Sequence, residues 1–362
     1  MEPTRASRRI TPGQLGAALA LFFILTAGLN PSLALQPGRL YTAPSGDFAF
    51  GYWNTWWTAR AFSLHSDPLF TRMIFHPGGI SLLWHDLPLL VTTAGAPLVW
   101  AFGTTVAYNL LFLATFLLAA LGAYLLARWW TGSHFAALGA GVVYAFAPIH
   151  TFAYVNQSNA QFEWLPFLVL ALLKLKEEGR LRHGFLAGIW LGFTLLCNFY
   201  YGVYSALLAV LLGAAWLLRP GPREVSRRAL WIGLGVCAGT AFLLNAFRLI
   251  PMLAERFSGG VETRVTTRTY ADLLGLKIRL DADGSFHLIG WPSILGWSVL
   301  LGAVLATVKG GWRRTRLWWL LAGGFFLLAL GNSLSVAGRE YPLPMPADLL
   351  HRLPLLTSLR GY

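Results

Sequence analysis

The chain has 362 residues, of which 56% are hydrophobic, 14% aromatic and only 12% charged, more apolar surface than one water-soluble core can bury. Its solvent is lipid. The net charge of +13 would point to nucleic acid in a soluble protein, but here the basic residues sit in short clusters between apolar segments and no RNA-binding motif occurs; nucleic acid is excluded and membrane lipids take its place as partners.

A membrane crossing needs about 20 mainly apolar residues. By that rule the chain is an all-α polytopic bundle, one membrane-embedded domain over 1–362, with crossings at 14–35, 104–128, 133–149, 161–175, 184–199, 201–218, 229–250, 291–308 and 316–332. The run "DLPLLVTTAGAPLVWAF" (86–102) is broken by Pro88, Gly95 and Pro97 and barely reaches the needed length. If it lies in the interface or re-enters, nine crossings remain and every basic cluster falls on one side. Those clusters are Arg5, Arg8 and Arg9; Arg128; Lys174, Lys176, Arg180 and Arg182; Arg219, Arg223, Arg227 and Arg228; and Lys309, Arg313, Arg314 and Arg316. The positive-inside rule then puts the N-terminus in the cytoplasm and the C-terminus outside. Arg8 and Arg9 ahead of an apolar run ending near "PSLAL" also resemble a signal peptide, but the apolar core is long and no small-x-small cleavage site follows. Cys197 and Cys237 lie in apolar stretches, as small core residues do.

This topology places three sizeable segments outside: 36–103, 251–290 and 333–362. The first holds Asp47, His65, Asp67, His76, His85 and Asp86 among Trp53, Trp56, Trp57 and Trp84. Aromatic residues crowded beside a crossing mark the headgroup level. The stretch 48–64 therefore predicts an interfacial amphipathic helix with Gly46 and Asp47 at its start. Asp47 is then either an N-cap, accepting a first-turn amide hydrogen, or a reacting acid. In "FHPGGISLLWHD" (75–86), His76 precedes Pro77, Gly78 and Gly79 and predicts a turn. No HExxH or CxxC occurs, which leaves zinc without support, and no cofactor is called for; a divalent metal stays open.

The loop "HTFAYVNQSNAQFE" (150–163) is polar for a connection between crossings and puts Asn156 and Gln157 outside. Its "NQS" matches the N-glycosylation pattern but lies too close to the bilayer for that use. Glu163, at the start of a crossing, is either a functional intramembrane acid or a snorkelling one. The later outer segments are basic: Arg248, Arg256, Arg264, Arg268, Lys277 and Arg279, then Arg339, Arg352 and Arg360. A guanidinium binds phosphate as a fork, so a lipid phosphate or pyrophosphate is one partner and nonspecific headgroup contact the other.

One cytoplasmic N-terminus and crossing, a long outer loop opening with an acid and an aromatic-rich helix, and then many crossings resemble the GT-C superfamily of polytopic glycosyltransferases. "GDFAFGYWNTWW" (46–57), "MIFHPGGISLLWHD" (73–86), "YAFAPIHTFAYVNQSNAQFEWLPF" (144–167), and "LALGNSLSVAG" followed by "PLPMPADLLHRLPLLTSLRGY" look like a bacterial subgroup of it. The resemblance implies transfer of a sugar from a polyprenyl-phosphate-linked donor to a glycan, lipid or protein acceptor on the extracytoplasmic face of a bacterial inner membrane. It implies Asp47 as base or acceptor-positioning acid. Many members carry a second acid next to the first, where this chain has Phe48, so Asp86 or Glu163 would supply it. His76, His85, Asn156 and Gln157 are candidate acceptor or donor contacts, and Arg248, Arg256 and Arg360 candidate ligands of the donor phosphate. Such members continue past the last motif, whereas this chain stops at Gly361 and Tyr362, so a C-terminally truncated member is expected. The competing classes are a transporter or lipid flippase, which should show broken crossings in an internal repeat, and a noncatalytic assembly protein.

Overall fold

The computed structural model describes residues 9–39, 46–147, 150, 157–218, 225–258, 277–280, 286–289, 297–329 and short pieces between 334 and 347. The protein is all-α. Among the described residues, sheet is confined to three two-stranded antiparallel hairpins. The chain divides into two compact units, Met1–Phe146 with His150–Leu249, and Ala147–Ile149 with Ile250–Tyr362.

In the first unit, α1 (Pro12–Leu29) starts at a capping box: Thr11 accepts from the Gln14 amide and the Gln14 side chain from the Thr11 amide. The short α2 (Pro31–Leu35) leads toward α3 (Gly46–Ser63). A hairpin of β1 (Phe70–Thr71) and β2 (Ile80–Ser81) comes next, with Phe70 opposite Ser81 and Thr71 opposite Ile80. It is succeeded by α4 (Leu89–Phe102) with Pro97 inside it. The 14 residues of α4 extend about 21 Å, short of the hydrocarbon layer of about 30 Å.

Glycines in the left-handed region end the next helices. α5 (Thr104–Thr131) stops at Gly132, and α7 (Leu165–Glu178) at Gly179. Between them lie α6 (His134–Ala145), capped by Ser133 on the Ala136 amide, and a 3₁₀ turn at Gln157–Ala160. α8 (Leu181–Cys197) and α9 (Phe199–Leu218) are one apolar run cut by Asn198, whose backbone is extended. Asn198 Oδ1 accepts from the Tyr201 amide at 3.0 Å and so caps α9. α10 (Arg227–Phe257), whose residues to Leu249 belong to this unit, is the longest helix among the described residues, with 31 residues and Pro251 inside it.

Four of these helices, α1, α5, α9 and α10, are long and apolar enough to cross a membrane, which makes the chain an integral membrane protein. The other expected crossings take the form of helices of 12 residues, in α6, to 18, in the Trp312–Ala329 helix, that are not both long and apolar enough to be counted with these four. The expected interfacial helix begins two residues early, so Asp47 stands in the first turn of α3.

Two packing devices fix the helices of this unit against one another. Phe22 of α1 meets Tyr124 of α5 edge-on at 6.2 Å, over Ala119, Ala120, Ala137 and Ala145. Gly188 and Gly192, four residues apart on α8, lie against α10: a Cβ at Gly188 would sit 2.6 Å from the Cys237 carbonyl, and one at Gly192 2.8 Å from Leu244 Cδ1. Small residues four apart let crossing helices approach backbone to backbone. Asn245 Nδ2 adds a hydrogen bond to the Gly192 carbonyl at 3.2 Å.

In the second unit, β3 (Lys277–Leu280) pairs with β4 (Phe286–Ile289), placing Lys277 and Arg279 on a strand. Two helices succeed it, α11 (Trp297–Gly310) and α12 (Trp312–Ala329). A last hairpin joins β5 (Leu334–Val336) to β6 (Arg339–Tyr341), with Arg339 opposite Val336.

Candidate functional site

The polar centre of the first unit is built on residues 83–87, just before α4. Asn54, seven residues after Asp47 on α3, donates through Nδ2 to the Asp86 carbonyl at 2.8 Å. Its Oδ1 lies 2.8 Å from His85 Nε2. Because the Asn54 oxygen can only accept, this bond assigns the proton of neutral His85 to Nε2 and leaves Nδ1 as acceptor. Phe50 and Trp53 meet the imidazole edge-on at 5.8 and 6.1 Å. Burial lowers the His85 pKa below its ordinary value; Asp86 opposes the shift and Arg248 adds to it. His85 is therefore neutral at physiological pH.

Asp86 is held from the opposite side. Ser158, in the 3₁₀ turn, donates its hydroxyl to Asp86 Oδ1 at 2.6 Å, the short distance of a charge-assisted bond. Ser158 in turn accepts from Asn198 Nδ2 at 2.9 Å, and the Ser158 carbonyl accepts from the same nitrogen at 3.0 Å. Asn198 thus does two jobs: it caps α9 and orients the serine that holds the acid.

Arg248 closes the network from α10. The residue is 4% exposed, and its guanidinium donates to three alternate carbonyls, those of Leu83 at 3.2 Å, His85 at 3.0 Å and Leu87 at 3.5 Å. With three of its donors on main-chain oxygens, Arg248 organises the 83–87 turn. A neutral imidazole and a half-buried carboxylate are thus fixed side by side by three separate segments.

The other expected site residues distribute differently. Asp47 lies on the same face of α3 as Asn54, since seven residues make about two turns; its side chain lies outside the described residues, as do all of Asn156 and Arg360 and the side chain of Gln157. His76 is exposed at the hairpin tip, away from this network. Arg256 stands in the last turn of α10. Glu163 is 1% exposed, and its Oε2 has no hydrogen-bond partner among the described residues, so it is enclosed by protein rather than snorkelled to a surface. Among the described residues, no group of three or more His, Cys, Asp or Glu side chains is placed to hold a metal ion.

Sequence patterning does not single out Asn54, Ser158 or Asn198. Two of them carry a signal: Asn54 repeats the position of Asp47 after two helical turns, and Asn198 is a lone amide inside a long apolar run. Ser158 belongs to the "NQS" triplet, where it works as a hydrogen-bond donor to an acid. Compared with family models, curated proteins and solved structures, the chain gives no match.

Proposed function

We propose that the protein is a membrane glycosyltransferase of the GT-C type, moving a sugar from a polyprenyl-phosphate-linked donor to an acceptor on the extracytoplasmic face of a bacterial inner membrane. The observation that carries this is the fastening of α3 to the His85–Asp86 turn through Asn54. The helix that bears Asp47 is anchored, on the same face, to a second acid distant in sequence. In this reading Asp86 takes the part of the acid missing at Phe48, which is supported by the hold of α3 on the Asp86 main chain.

The chemistry requires an acceptor hydroxyl to lose its proton as the sugar-phosphate bond breaks. A positioned carboxylate acting as base contributes about a hundredfold to ten thousandfold. Asp47 is assigned that task and Asp86 the positioning of the acceptor, with neutral His85 beside it as a hydrogen-bonding group. The departing phosphate needs preorganised positive charge. Arg248, held at the 83–87 turn of the same unit, is the arginine assigned to it.

Replacing Asp47 by Asn tests the assignment. Sugar transfer from a polyprenyl-phosphate donor should fall by at least about a hundredfold while insertion and thermal unfolding stay unchanged; turnover at the wild-type rate removes Asp47 from the mechanism. A proton-coupled transporter is the second reading. It is favoured by one observation, the enclosed carboxylate of Glu163 with its unpartnered oxygen, and substrate uptake into proteoliposomes that is lost in Glu163→Gln would support it.

A further inference from the structure

The β1–β2 hairpin carries a feature that sugar transfer does not use. Its tip, Arg72 through Gly78, is exposed at every residue, and three adjacent side chains there are large and apolar: Met73, Ile74 and Phe75, with Phe75 at 71% exposure. Phe70 and Ile80 extend the apolar patch down the strands. An exposed cluster of this kind marks an interaction surface rather than a chance residue.

The tip is built, not loose. The Met73 amide donates to Thr71 Oγ1 at 3.1 Å, and the Gly79 amide to the Phe75 carbonyl at 2.9 Å. Gly79 has a φ of +78°, and a Cβ there would lie 2.5 Å from the Thr71 carbonyl, so only glycine fits. Phe75 itself has a φ of +55°, a strained conformation for a bulky side chain. The fold holds that strain while leaving the ring uncovered.

The hairpin's position selects its occupant. Tyr52 Oη of α3 lies 3.0 Å from Thr105 Oγ1, in the first turn of the membrane-crossing α5, which fixes α3 at the level where that crossing ends. Trp57 Nε1 donates to the Pro68 carbonyl at 3.0 Å and pins the hairpin base to α3. Tyr52 and Trp57 are separated by only about 7.5 Å of helix rise. From Pro68 through His85 there is no acid, while Arg72 and His76 flank the apolar tip. Apolar side chains beside an arginine suit an interface that carries anionic headgroups.

We propose that the tip of the β1–β2 hairpin inserts Met73, Ile74 and Phe75 into the headgroup layer of the outer leaflet, with Arg72 on the lipid phosphates, as a second membrane anchor independent of sugar transfer. Cys197 and Cys237 are both buried, so a nitroxide reagent addresses an introduced surface cysteine. Met73→Cys and Phe75→Cys, each spin-labelled and placed in nanodiscs of phosphatidylethanolamine with phosphatidylglycerol, should collide more often with oxygen than with a water-soluble nickel chelate. Greater collision with nickel at either position overturns the proposal, and so does shielding from both probes, which reports a protein contact. If Phe75→Cys does not accumulate, Ile74→Cys reads the same tip by the same criterion.

Discussion

Ser158 Oγ lies 2.6 Å from Asp86 Oδ1, a contact between residues 72 positions apart in the chain. The serine is itself oriented by Asn198 at 2.9 Å. Ser158→Ala should lower stability by about 1–3 kcal/mol, the cost of losing a hydrogen bond to a charged group in a partly buried site. Thermal unfolding in detergent measures it. Asn198→Ala should couple to Ser158→Ala, because both act on one network; strictly additive losses would show that the two side chains work separately.

Arg248 sits behind the same acid, and its loss is felt unevenly. The His85 and Leu87 carbonyls also accept from the Leu87 and Leu89 amides, so the Leu83 carbonyl depends most on the guanidinium. Arg248→Met should destabilise the protein by about 1–2 kcal/mol, since an unpaired buried carbonyl costs about 1–3 kcal/mol and removing the buried charge offsets part of that. Arg248→Lys should recover little, because an ammonium cannot span three carbonyls as a fork does. Full recovery with lysine would mean that charge alone matters.

The seat of Arg248 depends on how closely α8 approaches α10. Gly188→Ala should destabilise by about 1–3 kcal/mol, because the new methyl meets the Cys237 carbonyl and the Thr240 side chain. Gly139→Ala, where nothing lies within 4 Å, is the matched control and should be neutral or slightly stabilising. Equal melting temperatures for the two variants would show that the close approach contributes nothing.

His85 makes stability depend on pH in a defined direction. Its folded pKa lies below 6.5, so in mildly acidic solution the unfolded chain binds more protons than the folded one, and stability rises with pH. Above the unfolded value both states are neutral and the residue contributes no slope. As pH falls through 6.5 toward the folded value, the native state must accept a charge in a buried ring and loses stability. The wild type should therefore lose more stability than His85→Gln between about pH 7 and about pH 5. Identical pH profiles would show that His85 titrates alike in both states.

The helical, apolar character of the chain is legible in the sequence because it obeys local rules, whereas the limits shifted: the crossings expected at 133–149 and 161–175 are helices at His134–Ala145 and Leu165–Glu178. Apolar runs of sufficient length impose helices in lipid, since every backbone group must be paired within its own segment. Gly132, Gly179 and the polar break at Asn198 end or divide those helices where the chain chemistry demands it. Composition alone sets the membrane as solvent, and His85 and Asp86 stand out as chemistry-bearing residues in an aromatic loop. The 3₁₀ turn at Ser158, the serine's grip on Asp86 and the burial of Arg248 arise from tertiary packing alone. Those contacts join positions 72 and 163 residues apart, and no window of sequence contains both partners. Arg248 shows the reason most plainly: a lone arginine near the end of an apolar run has the same local pattern whether it binds a phosphate in water or three carbonyls in a core. Which it does depends on the turn that folding brings against it.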